Sequence, residues 1–264
     1  WEKNIKPKFG SRSFKSITTQ EVRRWHRGFA SKPFAGNRSL ETFAKMYSFG
    51  AEEGIVEGIN PCWKIKGHPE RKRRRYASEQ ELRAITGILE REMATHPREA
   101  AFLLLIAYTG ARPSVLERAK SYQMARVTSD SGEEFGVLTG DGKSSADTGE
   151  EETVIIPPNA LRIIDAIPKN QDGRIVGCMM PRKLWLKVRK EAGCEDLWAR
   201  DLRRTFATVG MSGGVNKDII GKLLNHSASQ TTDIYAKLDL TARIKAAGQI
   251  ADRITQIGKV IPLR

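Results

Sequence analysis

Apolar residues recur at intervals of three and four along most of this chain and alternate with polar ones only in a short middle stretch. Helix is therefore predicted for most of it, with a little strand. Thr18 and Glu21 form a capping box, and Val22, Trp25 and Phe29 supply the apolar face behind it. A second helix is predicted from about Asn37 to about Gly54, carrying Leu40, Phe43, Met46 and Tyr47, before the turn-forming pair Asn60-Pro61. Residues 68–77 lose this periodicity, and every position from Arg71 to Arg75 is cationic, so a domain boundary is placed there. Ser78 and Glu81 make another capping box, opening a helix with Leu82, Ile85 and Leu89 on one face. Ala100 to Tyr108 is an unbroken apolar run, too short to span a membrane, and reads as a buried helix stopped at Thr109-Gly110.

Strands are predicted at 123–127, 135–139 and 153–156, with a long loop over 140–152. Helices follow at Asn159–Ile167 and Pro181–Ala192. Leu202, Phe206 and Val209 mark another, stopped by Gly213-Gly214, and Asn216 is placed to cap the next, with Ile219, Ile220, Leu223 and Leu224. A tail carries Ile244, Ala247, Ala251, Ile254 and Ile257 at helical spacing, a stripe for its own domain or for a neighbouring protomer. The expected fold is mainly α with a small antiparallel sheet (α+β). It comprises a helical domain over 1–67, a basic linker over 68–77 and a larger domain over 78–264.

A chain of 264 residues can enclose two modest cores. Its 45 Lys and Arg against 31 Asp and Glu give a formal net charge of +14, which suggests an anionic polymer as partner. Arg23, Arg24 and Arg27 interleave with the apolar positions of the first helix. Arg71, Lys72, Arg73, Arg74 and Arg75 would lie as a strap along a duplex backbone. Cys62, Cys178 and Cys194 are odd in number and lack zinc spacing, which points to a reduced, cytoplasmic setting. Isolated His26, His68 and His96 give no metal-ligand pattern, and no glycine-rich phosphate loop is present, so no metal or other cofactor is expected. The chain starts at Trp1, without methionine and mid-pattern, as a fragment would.

The chemistry concentrates between Arg200 and Tyr235, where Arg200, Arg203, His226 and Tyr235 fall on or beside predicted helices. Arg112 follows the buried helix. Guanidinium forks suit a phosphodiester because they stay charged and offer paired donors to its oxygens. A phenol can attack phosphorus once nearby cations or a base make its proton easier to lose.

Arg200-Asp201-Leu202-Arg203, Leu223-Leu224-Asn225-His226 and Tyr235, nine residues after the histidine, resemble the second catalytic box of tyrosine recombinases, the phage integrase family. Tyr108-Thr109-Gly110-Ala111-Arg112 resembles the first box. Asn37-Arg38, Ala51-Glu52 and Asn60-Pro61-Cys62 are similar to that family's core-binding domain. The resemblance implies a site-specific recombinase or integrase for a mobile element, acting on double-stranded DNA through a 3′-phosphotyrosyl link, with four protomers working through a Holliday junction. It makes Arg112 and Arg203 the phosphate clamps, Tyr235 the nucleophile and Lys143 the donor to the departing 5′ oxygen. His226 either takes a proton or hydrogen-bonds a phosphate oxygen. Two departures stand out. Arg200 occupies the position of a histidine, and Val115 that of an acidic residue, for which Glu117 is a candidate substitute. Relaxation of the type IB topoisomerase kind, and DNA binding without full activity, are the alternative readings.

Overall fold

A computed structural model describes residues 1–71, 73–141, 151–225 and 236–259. They fall into two compact units, Trp1–Arg74 and Arg75–Arg264.

The first unit contains α1 (Lys6–Phe9), α2 (Thr19–Arg27) and α3 (Pro33–Glu52). Thr18 caps α2 as its sequence predicts, its side chain accepting from the Glu21 N–H while Glu21 reaches back to the Thr18 N–H at 2.9 Å. α3 starts four positions before the expected Asn37, because Pro33 occupies its first turn, where no intrahelical donor is needed. Ile5, Phe9, Ile17, Val22, Leu40, Phe43 and Cys62 form the core, with the Phe9 and Phe43 rings stacked at 4.9 Å. Residues 68–70 are held in this unit rather than strung out as a linker. Asn37 Oδ1 accepts from the His68 N–H at 2.8 Å, and its amide donates to the His68 carbonyl at 2.9 Å and to Glu70 at 2.7 Å. His26 and His68, expected to be isolated, stack at 4.2 Å. Burial, together with the neighbouring His68, holds the His26 imidazole below its ordinary pKa against the opposing Asn37 hydrogen bond.

The second unit begins with Arg75 and is anchored at once, the Ala77 N–H donating to Thr205 Oγ1 at 2.9 Å. Its helices are α4 (Glu79–Glu92), α5 (Pro97–Thr109), α6 (Pro113–Arg118), α7 (Pro158–Ala166), α8 (Arg182–Glu191), α9 (Ala199–Ser212), α10 (Lys217–Leu223) and α11 (Ala236–Lys259). α5 is buried from Ala100 to Thr109 and packs against α4, α7 and α9, which explains why its sequence has no polar face. β1 (Met124–Thr128), β2 (Glu134–Asp141) and β3 (Glu151–Ile156) form an antiparallel sheet in that order. The register pairs Gly136 with Ile156 and Gly140 with Glu152. β2 and β3 therefore run beyond the expected strands, and Glu152, assigned to a loop from sequence, is a strand residue.

α11 lies against α4, α5, α7, α9, α10 and β3 of its own unit. Ile244, Ala247, Ala251, Ile254 and Ile257 are all buried there, so this stripe completes the unit's core rather than awaiting a neighbour. Each isoleucine buried in this way contributes about 1.5–3 kcal/mol. No helix among the described residues is long and apolar enough to cross a membrane.

Candidate active site

α5 ends because Gly110 takes a left-handed conformation, φ 64°, and turns the chain back toward α9. A side chain is excluded there twice over, since a Cβ would lie 2.7 Å from Leu224 and 2.8 Å from Phe206. Two residues on, Arg112 stands in extended backbone as the N-cap of α6. Its Nη1 donates to Glu152 of β3 at 2.5 Å and its Nη2 to the Asn225 carbonyl at 3.2 Å.

Arg203 reaches the same place from α9. Its Nη1 donates to the Gly110 carbonyl at 2.6 Å, and its Nη2 donates to the Leu224 carbonyl. The two arginines thus bind adjacent carbonyls at the end of α10, and both are fastened to the turn that follows α5. Burial first, then the nearby Arg112 charge, pushes the Arg203 guanidinium down to about 10, with Glu152 opposing the shift. It stays cationic at neutral pH. Among the described residues, each guanidinium donates two hydrogen bonds, one from each terminal nitrogen, of the five N–H donors it carries.

Asn225 fixes the turn after α10. It adopts φ 46°, and its side-chain amide donates to the Thr153 carbonyl at 2.9 Å while accepting from the Thr153 N–H at 3.3 Å. This ties the end of α10 to β3 and sets Glu152, one residue before Thr153, against Arg112. Arg243 of α11 donates to the same Thr153 carbonyl at 3.2 Å, and burial lowers its pKa against the opposing charge of Asp239. Asn225, as a residue tolerant of left-handed backbone at a helix end, leaves a trace in the sequence. Glu152 and Arg243 leave none, because only tertiary contact brings them here.

Of the other sequence-derived candidates, Arg200 is exposed with its guanidinium 5.4 Å from the Trp198 ring centre. Among the described residues it does not share the partners of Arg112 and Arg203. Lys143, His226 and Tyr235 lie outside the described residues, as does Lys72. Glu117 does not support Arg112, since it accepts the Met180 N–H at 3.0 Å. Arg23, Arg24 and Arg27 are exposed on α2, Arg71 and Arg74 are exposed, and Arg73 is half-buried.

Arg75 departs from its expected part in a DNA strap. Its Nε and Nη2 meet Asp196 at 2.9 and 3.1 Å, Nη1 and Nη2 both meet Glu81, and Nη1 also donates to the Tyr76 carbonyl. All five donors are engaged, and the hydrogen bonds it donates to Glu81 and Asp196 raise its pKa. Arg75 is an internal strut of the second unit. No group of three or more His, Cys, Asp or Glu is placed to hold a metal ion among the described residues.

No family model and no curated protein matches this sequence. Solved structures do match. A lambda integrase tetramer bound to a Holliday junction aligns at TM-score 0.62 and 17% identity, over 88% of this chain and 70% of that one. The XerH site-specific recombinase in a post-cleavage complex with palindromic difH aligns at TM-score 0.61 and 16% identity, over 89% and 73%. The Tn1549 transposon integrase in complex with a circular intermediate DNA aligns at 0.57 and 10%, over 88% and 87%. These proteins are tyrosine recombinases. The chain has the fold of the tyrosine recombinases.

Proposed function

We propose that this chain is a tyrosine recombinase that cleaves and rejoins double-stranded DNA at specific sites to integrate or excise a mobile element. The observation that carries the reading is the convergence of Arg112 and Arg203, 91 positions apart in sequence, on adjacent carbonyls at the end of α10. Two forks, each with donors unengaged among the described residues, form a clamp for the non-bridging oxygens of one phosphodiester, where negative charge grows during transfer. The chain then continues from Asn225 toward His226 and Tyr235.

In the proposed reaction the Tyr235 phenolate oxygen attacks phosphorus, and the bond to the 5′ oxygen breaks. The bridging oxygen leaves with a proton from Lys143, while the 3′ phosphate remains esterified to the phenol. His226 takes the phenolic proton or hydrogen-bonds a phosphate oxygen. Arg200 retains a cation where the family resemblance has a histidine, but cannot exchange protons near neutral pH. The bond energy is conserved in the phosphotyrosyl ester, so a 5′ hydroxyl can reverse the step without a nucleotide. Exposed Arg23, Arg24, Arg27, Arg71 and Arg74 hold the backbone, and four copies exchange strands through a junction.

The test begins with a randomised duplex pool, from which bound sequences are recovered by gel shift and rebuilt as nicked suicide substrates. The native chain is expected to form an adduct that survives detergent, and Tyr235→Phe to form none. Binding without an adduct favours an inactive DNA-binding protein. Plasmid relaxation with no site requirement favours topoisomerase-type action.

A further inference from the structure

We infer that Glu152 is the positioning residue for Arg112, supplying from strand β3 the support that Val115 in α6 cannot give. The inference rests on the recombinase reading. Arg112 is the N-cap of α6, and among the described residues no carboxylate of that helix meets its guanidinium. Val115 packs in the core, and Glu117 is committed to the Met180 N–H. The carboxylate that meets Arg112 comes from β3, delivered by the two hydrogen bonds between Asn225 and Thr153.

Glu152 is only 4% exposed, and its Oε2 is buried without a hydrogen-bond partner among the described residues. Folding stability is a weak reason to keep such a group, because burying a carboxylate with one idle oxygen is costly even beside a cation. The geometry offers a better reason. One oxygen and the Asn225 carbonyl take one donor from each terminal nitrogen of Arg112, which fixes the plane of the fork and the direction of its remaining donors. A guanidinium left to rotate would still attract a phosphate, but would present its donors correctly only part of the time.

Glu152→Gln tests this, because the amide keeps the shape and an acceptor oxygen while removing the charge. With the duplex recovered by selection, single-turnover adduct formation is expected to fall about 10- to 100-fold, as for other orienting partners of a reacting group. Duplex affinity by gel shift is expected to stay within about threefold, since most phosphate contacts lie elsewhere. Nitrogen-15 NMR of the Arg112 guanidinium reads the positioning without any reaction. The native chain is expected to give separate, slowly exchanging Nη signals that merge in Glu152→Gln and persist in Glu117→Gln. Unchanged Arg112 signals in a folded Glu152→Gln variant, or an adduct rate within twofold of native, overturn the inference. Should the native chain form no adduct on any selected duplex, the recombinase reading fails, while the NMR comparison still decides what orients Arg112.

Discussion

Gly110 meets two requirements that no other residue type meets together, a left-handed backbone and side-chain carbons of Leu224 and Phe206 within 2.8 Å of where its Cβ would be. Gly110→Ala is expected to destabilise the second unit by at least about 1–2 kcal/mol, the backbone contribution alone, read as a lower urea midpoint. Arg203→Lys keeps the charge but cannot bridge the Gly110 and Leu224 carbonyls while presenting a fork. Its adduct rate is expected to fall about 10²- to 10³-fold, as for the loss of one transition-state donor, in the same single-turnover assay. Gly110 can be picked out from sequence as the stop of a predicted helix, and Arg112 and Arg203 because both fall in paired boxes that resemble those of a known family. Glu152 cannot, because nothing near it in sequence announces that it will face Arg112. Arg75 is misplaced by sequence for the complementary reason. A run of cations looks uniform until folding hands one of them two carboxylates.

Among the elements, α2 and α4 follow directly from capping boxes and periodicity and α5 from its unbroken apolar run, while α3 starts four residues early and ends at Glu52, near the expected Gly54. The strand ends are harder to read, since Gly140 to Glu152 is polar and glycine-bearing, while strand pairing is set by the partner strand rather than by composition. The cap of α2 yields a pH prediction. Hydrogen bonds from Arg12 first, then from Thr18, hold the Glu21 carboxyl at about 2, below its ordinary 4.5. A depressed carboxyl stabilises the fold fully above its unfolded pKa and loses that contribution as pH falls through the folded one. The start of α2 should therefore keep its protection down to about pH 4.5 and lose it progressively toward 2. Hydrogen exchange at the Val22 amide reads this, and Glu21→Gln is expected to flatten the dependence across that interval.

For the molecule as a whole, the net charge of +14 predicts duplex affinity that falls steeply with salt. The individual contributions separate free cations from engaged ones. Removing Arg23 or Arg27 is expected to reduce the slope of log affinity against log salt by about 0.9 for each phosphate that is no longer neutralised. Arg75→Ala is expected to leave that slope unchanged and to lower the melting temperature, because it removes an internal strut. An equal drop in slope at all three positions would contradict the assignment of Arg75 to the fold. The division into two units is legible as a change of periodicity. The division between Arg74 and Arg75 falls within the stretch 68–77, but that the Asn37 side chain draws residues 68–70 into the first unit is not legible, because only tertiary contact brings them together.

The most direct measurement is peptide mass spectrometry of the covalent product formed on a nicked, selected duplex. A Tyr235 nucleophile predicts one modified peptide carrying a 3′-phosphonucleotide on Tyr235, lost in Tyr235→Phe and strongly reduced when Arg112 or Arg203 is replaced. A link to any other side chain, or equal yield from Tyr235→Phe, would contradict it.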